Sequence, residues 1–102
     1  MMRVVLSSCP ASAAEGIAHA LVSSRHAACV SVLPQAVSTY RWQGEVVVEQ
    51  EHLLLIKVPI HAAAELMAEL ARIHPYDVPE IIALPVAHVA ASYSRWATKQ
   101  LG

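Results

Sequence analysis

Glycine is scarce in this chain of 102 residues, which has only three, at positions 16, 44 and 102. Backbone loops that cradle phosphate groups need closely spaced glycines, and the sequence contains no GxGxxG, Walker or GxSxG pattern. We therefore expect no nucleotide-binding loop and no hydrolase nucleophile turn. We predict that the protein is not an enzyme and that it holds no organic cofactor.

Cysteine and net charge are also low. Cys9 and Cys29 are too few for a disulfide framework and form no CxxC pair, so we interpret them as reduced thiols of a cytoplasmic protein. Seven basic residues stand against eight acidic ones, for a formal net charge of -1. Because this balance provides no basic stripe for a phosphate backbone, we expect no binding to nucleic acid.

Long apolar runs are missing as well. Lys57 interrupts the strongest one, HLLLIKVPI, and no uninterrupted stretch reaches the length of a membrane-spanning helix. The apolar stretch at the N-terminus is too short for a signal peptide, and we expect no membrane partner. Hydrophobic residues nevertheless make up 56% of the chain. This content is high for a small monomeric domain and indicates contact with another subunit.

The chain length predicts a single domain over residues 1–102. The apolar pattern predicts strands at 3–9, 27–42, 45–58 and 80–87, helices at 12–25 and 60–74, and a short C-terminal helix. Strand, helix, strand, strand, helix, strand is the order of the ferredoxin-like βαββαβ fold. We therefore expect an α+β domain with a four-stranded antiparallel sheet and both main helices on one face.

Local signals mark the ends of the two main helices. Ser12 and Glu15 have the spacing of a capping box, which predicts that the first helix begins at this serine. Pro75 disfavours helical geometry at His74, so the second helix is predicted to end there.

The second and third predicted strands form an unusually long hairpin. Gln43 and Gly44 are the natural two-residue turn, and Pro34 predicts an edge, bend or bulge because proline donates no backbone hydrogen bond. Each arm has about fourteen residues, whereas five or six are typical. Such arms overhang a small sheet, and their unpaired edges need a partner.

Five segments carry a resemblance to a known family: RVVLSSCP, AACVSVLP, STYRWQGEVVVEQEHLLLIK, HPYDVPEIIALPV and YSRWATKQL. The most specific feature is HPY followed by PEI and then LPV. Over essentially the whole chain, these segments resemble the CutA family of divalent-cation tolerance proteins. The resemblance implies a homotrimer in which the long hairpins pair with those of neighbouring subunits.

The resemblance also has functional implications. It implies tolerance to copper and other divalent metals, and animal members are associated with the anchoring of acetylcholinesterase. The architecture is similar to that of the PII signalling proteins, which bind small ligands at trimer clefts. The family resemblance implies no enzymatic activity.

Copper prefers thiolate and imidazole ligands, so the metal candidates are His74, Cys9 and Cys29. His74 matches the histidine of the family's HPY motif. Copper-associated members have a cysteine at the end of the first strand and a second histidine before HPY, where this chain has Ser7 and Ile73. Cys9 lies two residues beyond Ser7 and is the possible substitute. The alternatives are a structural histidine at a helix end for His74 and a buried core thiol for Cys29.

Lys57 is the centre of a second hypothesis, because it follows the apolar run LLLI, where a buried lysine requires a carboxylate or an anionic ligand. We predict a cleft for a metal or a small anion, with an interfacial salt-bridge network as the alternative. Besides Lys57 and His74, the predicted cleft residues are Tyr76, Glu80, Trp42 and Tyr40, the last two from an adjacent hairpin.

Alternation places Glu45, Glu49, Glu51 and Lys57 on one face of the third strand, where a solvated face explains the outer glutamates. Two functions follow from these patterns. The first is a trimeric protein that binds copper or another divalent cation. The alternative is a PII-like signalling or scaffold trimer that binds a small anion or a protein partner.

Overall fold

The computed structural model describes all 102 residues and contains four strands and three α-helices. The strands are β1 (Met2–Cys9), β2 (Cys29–Trp42), β3 (Glu45–Pro59) and β4 (Ile81–Pro85); the helices are α1 (Ala11–Ser23), α2 (Ala63–Ile73) and α3 (Ala91–Gln100). The strand order is β2-β3-β1-β4, and every neighbouring pair is antiparallel. The predicted ferredoxin-like α+β fold and the short C-terminal helix are confirmed. None of the helices has the length and apolar character needed to cross a membrane.

The hydrophobic core lies between one face of the sheet and helices α1 and α2. Val5 and Ile56 are cross-strand partners on β1 and β3, and both pack with Leu21 of α1 and Leu66 of α2. All four side chains are fully buried. Burial of each contributes about 1.5–3 kcal/mol, so this layer is the main source of stability.

The opposite face of the sheet is only partly covered. Helix α3 packs at one end, where Ala97 contacts the cluster of Met2 and Ala28. On β4, Ile82 and Leu84 remain 44% and 42% exposed. This face therefore presents apolar surface that a single chain does not bury.

The long hairpin is confirmed, and its turn has the predicted sequence. Gln43 and Gly44 both have positive φ, 51° and 83°, as a two-residue hairpin turn with matching twist requires. The part of the hairpin beyond the helices is exposed to solvent: the exposed fractions of Val37, Val46 and Val48 lie between 63% and 66%. The hairpin thus extends well past the core.

A β-bulge interrupts β2, as Pro34 predicted. Leu33 pairs with Leu53 and Ala36 pairs with Glu51, so Pro34 and one further residue stand opposite a single residue of β3. Because two residues of β2 stand opposite one residue of β3, the alternation of side chains along β2 is reversed relative to β3 after the bulge. Beyond the bulge, the even-numbered side chains of β2 therefore share a face with the odd-numbered side chains of β3.

The capping-box prediction is wrong. Helix α1 begins at Ala11 after Pro10, and no side chain caps its first turn. The carbonyl of Pro10 accepts a hydrogen bond of 2.9 Å from the N–H of Ala13. Because helical geometry begins directly after Pro10, Ser12 lies inside the first turn instead of preceding it.

The ends of several other elements also differ from the predictions. Helix α1 ends at Ser23, since Arg25 has a left-handed φ of 63°. Residues Ile60–Ala62 form a 3-10 turn before α2. At His74 the chain is extended, with φ -70° and ψ 138°, as predicted from the following proline.

Candidate functional site

An open groove of about 750 Å³ lies between the β2–β3 hairpin and the segment 74–80, which joins α2 to β4. Its lining is acidic and aromatic. Four carboxylates and three aromatic rings contribute: Glu49, Glu51, Asp77, Glu80, Tyr40, Trp42 and Tyr76. No lysine, arginine or histidine lines it. The groove therefore has a strongly negative character within a chain that is almost neutral.

His74 fixes one end of the segment that borders the groove. Its side chain is 8% exposed. Its Nδ1 accepts a hydrogen bond of 3.1 Å from the N–H of Tyr76, so this nitrogen carries no proton. Nε2 carries the ring proton and donates it to the carbonyl of Ser8 at 2.9 Å. Both nitrogens are therefore occupied by bonds that hold the segment against β1.

Ser7 fixes the other end of the same segment. Its hydroxyl is fully buried and donates a hydrogen bond of 2.6 Å to the carbonyl of Glu80. Together, His74 and Ser7 attach both ends of segment 74–80 to the last residues of β1. This position brings Tyr76 over the hairpin.

Tyr76 and Glu51 form the closed inner end of the groove. The Tyr76 hydroxyl donates a hydrogen bond of 2.7 Å to Oε2 of Glu51, and Glu51 is only 5% exposed. Burial, followed by the Glu51 carboxylate, raises the pKa of Tyr76 well above its usual value. The phenol therefore remains a proton donor at neutral pH.

Tyr40 continues the groove outward along the hairpin. Its cross-strand partner is Val47, which places its ring diagonally next to Glu49. Desolvation, followed by Glu49, raises the pKa of Tyr40. Trp42 stands at the outer end, 47% exposed. Along the hairpin, the carboxylates of Glu51 and Glu49 thus come first, and the rings of Tyr40 and Trp42 follow towards the turn.

The structure does not bring the three metal candidates together. Cys9 packs in the core between the sheet and the helices, and burial raises the pKa of its thiol. Cys29 pairs with Lys57 on the other face of the sheet, about 17 Å along β3 from the residue that pairs with Cys9. His74 has no free ring nitrogen. No three His, Cys, Asp or Glu side chains in the structure lie close enough together to hold a metal ion.

Lys57, the centre of the predicted inter-subunit cleft, lies outside this groove of the single chain. It pairs with Val4, whereas segment 74–80 is attached near Ser7 and Ser8, so Lys57 and Glu51 are about 20 Å apart along β3. The Lys57 ammonium donates a hydrogen bond of 2.5 Å to the hydroxyl of Ser31. Without Lys57, the groove of one chain has no positive group to receive the anionic ligand expected from the sequence.

The remaining predicted cleft residues, Tyr76, Glu80, Tyr40 and Trp42, do line the groove. Tyr40 and Trp42 reach it from the hairpin of the same chain. Sequence reasoning missed the role of Glu51 although it noticed the charged row on β3. The alternation of β3 was the signal, but only the position of segment 74–80 shows that Tyr76 covers this glutamate.

Comparisons with known proteins agree with this fold. A family model described as "CutA1 divalent ion tolerance protein" matches residues 3–100. The divalent-cation tolerance protein CutA of Thermus thermophilus is 48% identical over 103 residues, which cover the whole of both chains.

Two solved structures extend the likeness. CutA from Xylella fastidiosa, 40% identical, superposes with a TM-score of 0.94 over 99% of this chain and 98% of its own. A PII-like protein CutA from a Nostoc species, 29% identical, gives 0.93 over 98% and 97%. The chain therefore belongs to the CutA family of divalent-cation tolerance proteins.

Proposed function

We propose that this protein acts in divalent-cation tolerance as a homotrimer whose groove between the hairpin and segment 74–80 is the cation-responsive site. The observation that carries the proposal is the groove lining, which has four carboxylates and no basic side chain. A concave surface of one charge raises the local concentration of oppositely charged ligands. We propose a cytoplasmic, non-enzymatic protein.

Assembly into a trimer is supported by apolar surface that a single chain leaves exposed. Val46 and Val48 on the overhanging hairpin and Leu84 on β4 are all more than 40% exposed. Light scattering of the purified protein tests the assembly. We expect Val48→Lys to reduce the trimer, whereas Val22→Lys on α1, also at an exposed valine, should leave it unchanged. A monomeric wild-type protein would contradict this part of the proposal.

The donor atoms of the groove determine which metals suit it. Carboxylate and hydroxyl oxygens are ligands for hard divalent cations, while copper prefers thiolate and imidazole. The thiols and the His74 ring, which the resemblance suggested for copper, do not converge and do not fit a copper centre within one chain. We therefore propose weak binding of hydrated divalent cations by the groove carboxylates, without a dedicated copper site.

A metal titration tests this assignment. We propose to titrate the trimer with Mn²⁺, Zn²⁺ and Cu²⁺ and to follow heat and tryptophan fluorescence. Glu51→Gln should weaken binding, whereas Glu65→Gln, at an exposed glutamate of α2, should not. Cys29→Ser should also leave the affinity unchanged. Loss of Cu²⁺ binding in Cys29→Ser, with no effect of Glu51→Gln, would favour a thiol site instead.

A PII-like signalling or scaffold role is the second candidate. It is supported by the likeness to a Nostoc protein named PII-like and by the size of the groove, which lies in the range of small-ligand sites. On this hypothesis the trimer changes its contacts with a protein partner when the groove is occupied. Thermal shift against a panel of cationic and anionic metabolites tests it, with stabilisation expected for cations alone.

A further inference from the structure

We infer that the groove recognises an aliphatic amine, with the ammonium group held between Glu51, Tyr76 and Tyr40. The inference rests on the proposed cation-responsive role of the groove and names the chemical class of its ligand. It starts from Glu51, a residue that is only 5% exposed and has no cationic partner. The chain contains a single ion pair, between Arg72 and Glu69 on the surface of α2.

Only half of the Glu51 carboxylate is satisfied. Oε2 accepts the hydrogen bond from Tyr76, and this is the only hydrogen bond to the side chain. No buried side-chain oxygen or nitrogen is left fully enclosed without a partner, so Oε1 is open to the groove that Glu51 lines. A largely buried carboxylate with a free oxygen and no compensating charge is costly. A ligand cation at this point removes the cost.

Besides the weakly held metal ions proposed above, the surroundings of this carboxylate suit an organic cation. No third carboxylate, thiol or imidazole lies close enough to complete a metal coordination shell. The rings of Tyr40 and Tyr76 line the same groove, and aromatic faces attract ammonium groups through their negative quadrupole. The tyrosine and serine hydroxyls and the free oxygen can accept N–H bonds, so a primary amine fits better than a quaternary one.

The shape of the groove sets the length of the ligand. Glu49 lies two residues before Glu51 on the same face of β3, about 7 Å away along the strand. Val47 follows on the same face, directly opposite Tyr40, and offers an apolar contact beyond Glu49 for a methylene chain. Two carboxylates at this spacing with apolar surface beyond them match a short diamine better than a monoamine.

The test uses the assembled protein and four probes in isothermal calorimetry: diaminobutane, butylamine, tetramethylammonium and butanediol. Butanediol has the length of diaminobutane without its charge. We expect diaminobutane to bind about tenfold or more tightly than butylamine, tetramethylammonium to bind more weakly still, and butanediol not to bind. Equal binding of diaminobutane and butanediol would overturn the inference.

Matched variants locate the site. Glu51→Gln should weaken diaminobutane binding at least tenfold and Tyr40→Leu about fivefold, whereas Glu65→Gln and Tyr93→Leu should leave it unchanged. Circular dichroism and light scattering confirm that each variant is folded and assembled. If Glu51→Gln disrupts assembly, the carboxylate faces a cationic side chain of another subunit and the inference is overturned.

The same data separate this inference from the proposed function. A trimer that responds to Mn²⁺ through Glu51 but binds no amine keeps the proposed function and overturns the amine ligand alone. Loss of both responses overturns both. Competition between Mn²⁺ and diaminobutane supports a shared site.

Discussion

The hydroxyl of Tyr76 donates a hydrogen bond of 2.7 Å to Oε2 of Glu51, across 25 residues of sequence. This bond connects the segment after α2 with the hairpin, and both parts of the chain line the groove. It also sets the state of both groups, because the phenol is held protonated next to a buried carboxylate. We therefore expect stability and the proposed ligand binding to depend on the same pair.

Tyr76→Phe should destabilise the protein by about 1–2 kcal/mol, since it leaves a largely buried carboxylate oxygen without its donor. Urea denaturation at pH 7 measures the loss. The matched experiment is the same substitution in a Glu51→Gln background, where the effect should be smaller. Equal effects in both backgrounds would show that the Tyr76 hydroxyl does not stabilise the protein through Glu51.

The same pair predicts how stability depends on pH. The pKa of Tyr76 is higher in the folded protein than in the unfolded chain, so the folded state holds this proton more tightly. Its contribution is complete below the ordinary tyrosine pKa of about 10 and is lost as the pH rises above that value. Urea midpoints measured between pH 8 and pH 11 should fall less steeply for Tyr76→Phe than for the wild type.

His74 should behave as a structural residue. His74→Ala removes two hydrogen bonds and a buried ring, and we expect a loss of about 2–4 kcal/mol together with faster amide exchange in residues 75–80. Hydrogen exchange followed by mass spectrometry measures the local effect. His88→Ala, at an exposed loop position, is the control. An unchanged exchange pattern in His74→Ala would contradict the anchoring role.

Cys9 should be chemically protected. It is fully buried and its thiol pKa is raised by burial, so little thiolate is available for reaction. The test uses a Cys29→Ser variant, in which Cys9 is the remaining thiol. Because a buried thiol is protected, we expect it to react with a disulfide reagent about a hundredfold or more slowly in buffer than in 6 M urea. Rapid labelling of the folded variant would show that the core opens at this end of β1.

The bulge in β2 should determine which face carries the groove aromatics. Deletion of Gln35 restores two-residue alternation, so Tyr40 and Trp42 should turn to the opposite face of the hairpin. We expect loss of groove binding and a shift of tryptophan emission. Gln35→Gly keeps the bulge and relieves the left-handed φ of 64°, so it should retain binding and gain about 0.5–1 kcal/mol.

The main elements could be predicted from local sequence signals, and the folded structure contains the turn, bulge and helix end that these signals predict. The turn at Gln43 and Gly44 needs positive φ, Pro34 cannot donate to a ladder, and Pro75 excludes a helix at His74; each of these constraints acts within a few residues. The capping box failed because Pro10 had already set the start of the helix. Local spacing alone does not show which of two adjacent signals prevails.

Periodicity and turn chemistry are short-range properties, so the sequence alone was enough to predict the order of strands and helices, the long hairpin and the family to which the chain belongs. The folded structure was needed to show which polar residues meet. It separated Lys57 from the groove, placed Cys9 and Cys29 on opposite faces, and brought Tyr76 to Glu51. Strand register and the attachment of segment 74–80 to β1 depend on contacts between residues far apart in sequence, which no local pattern records.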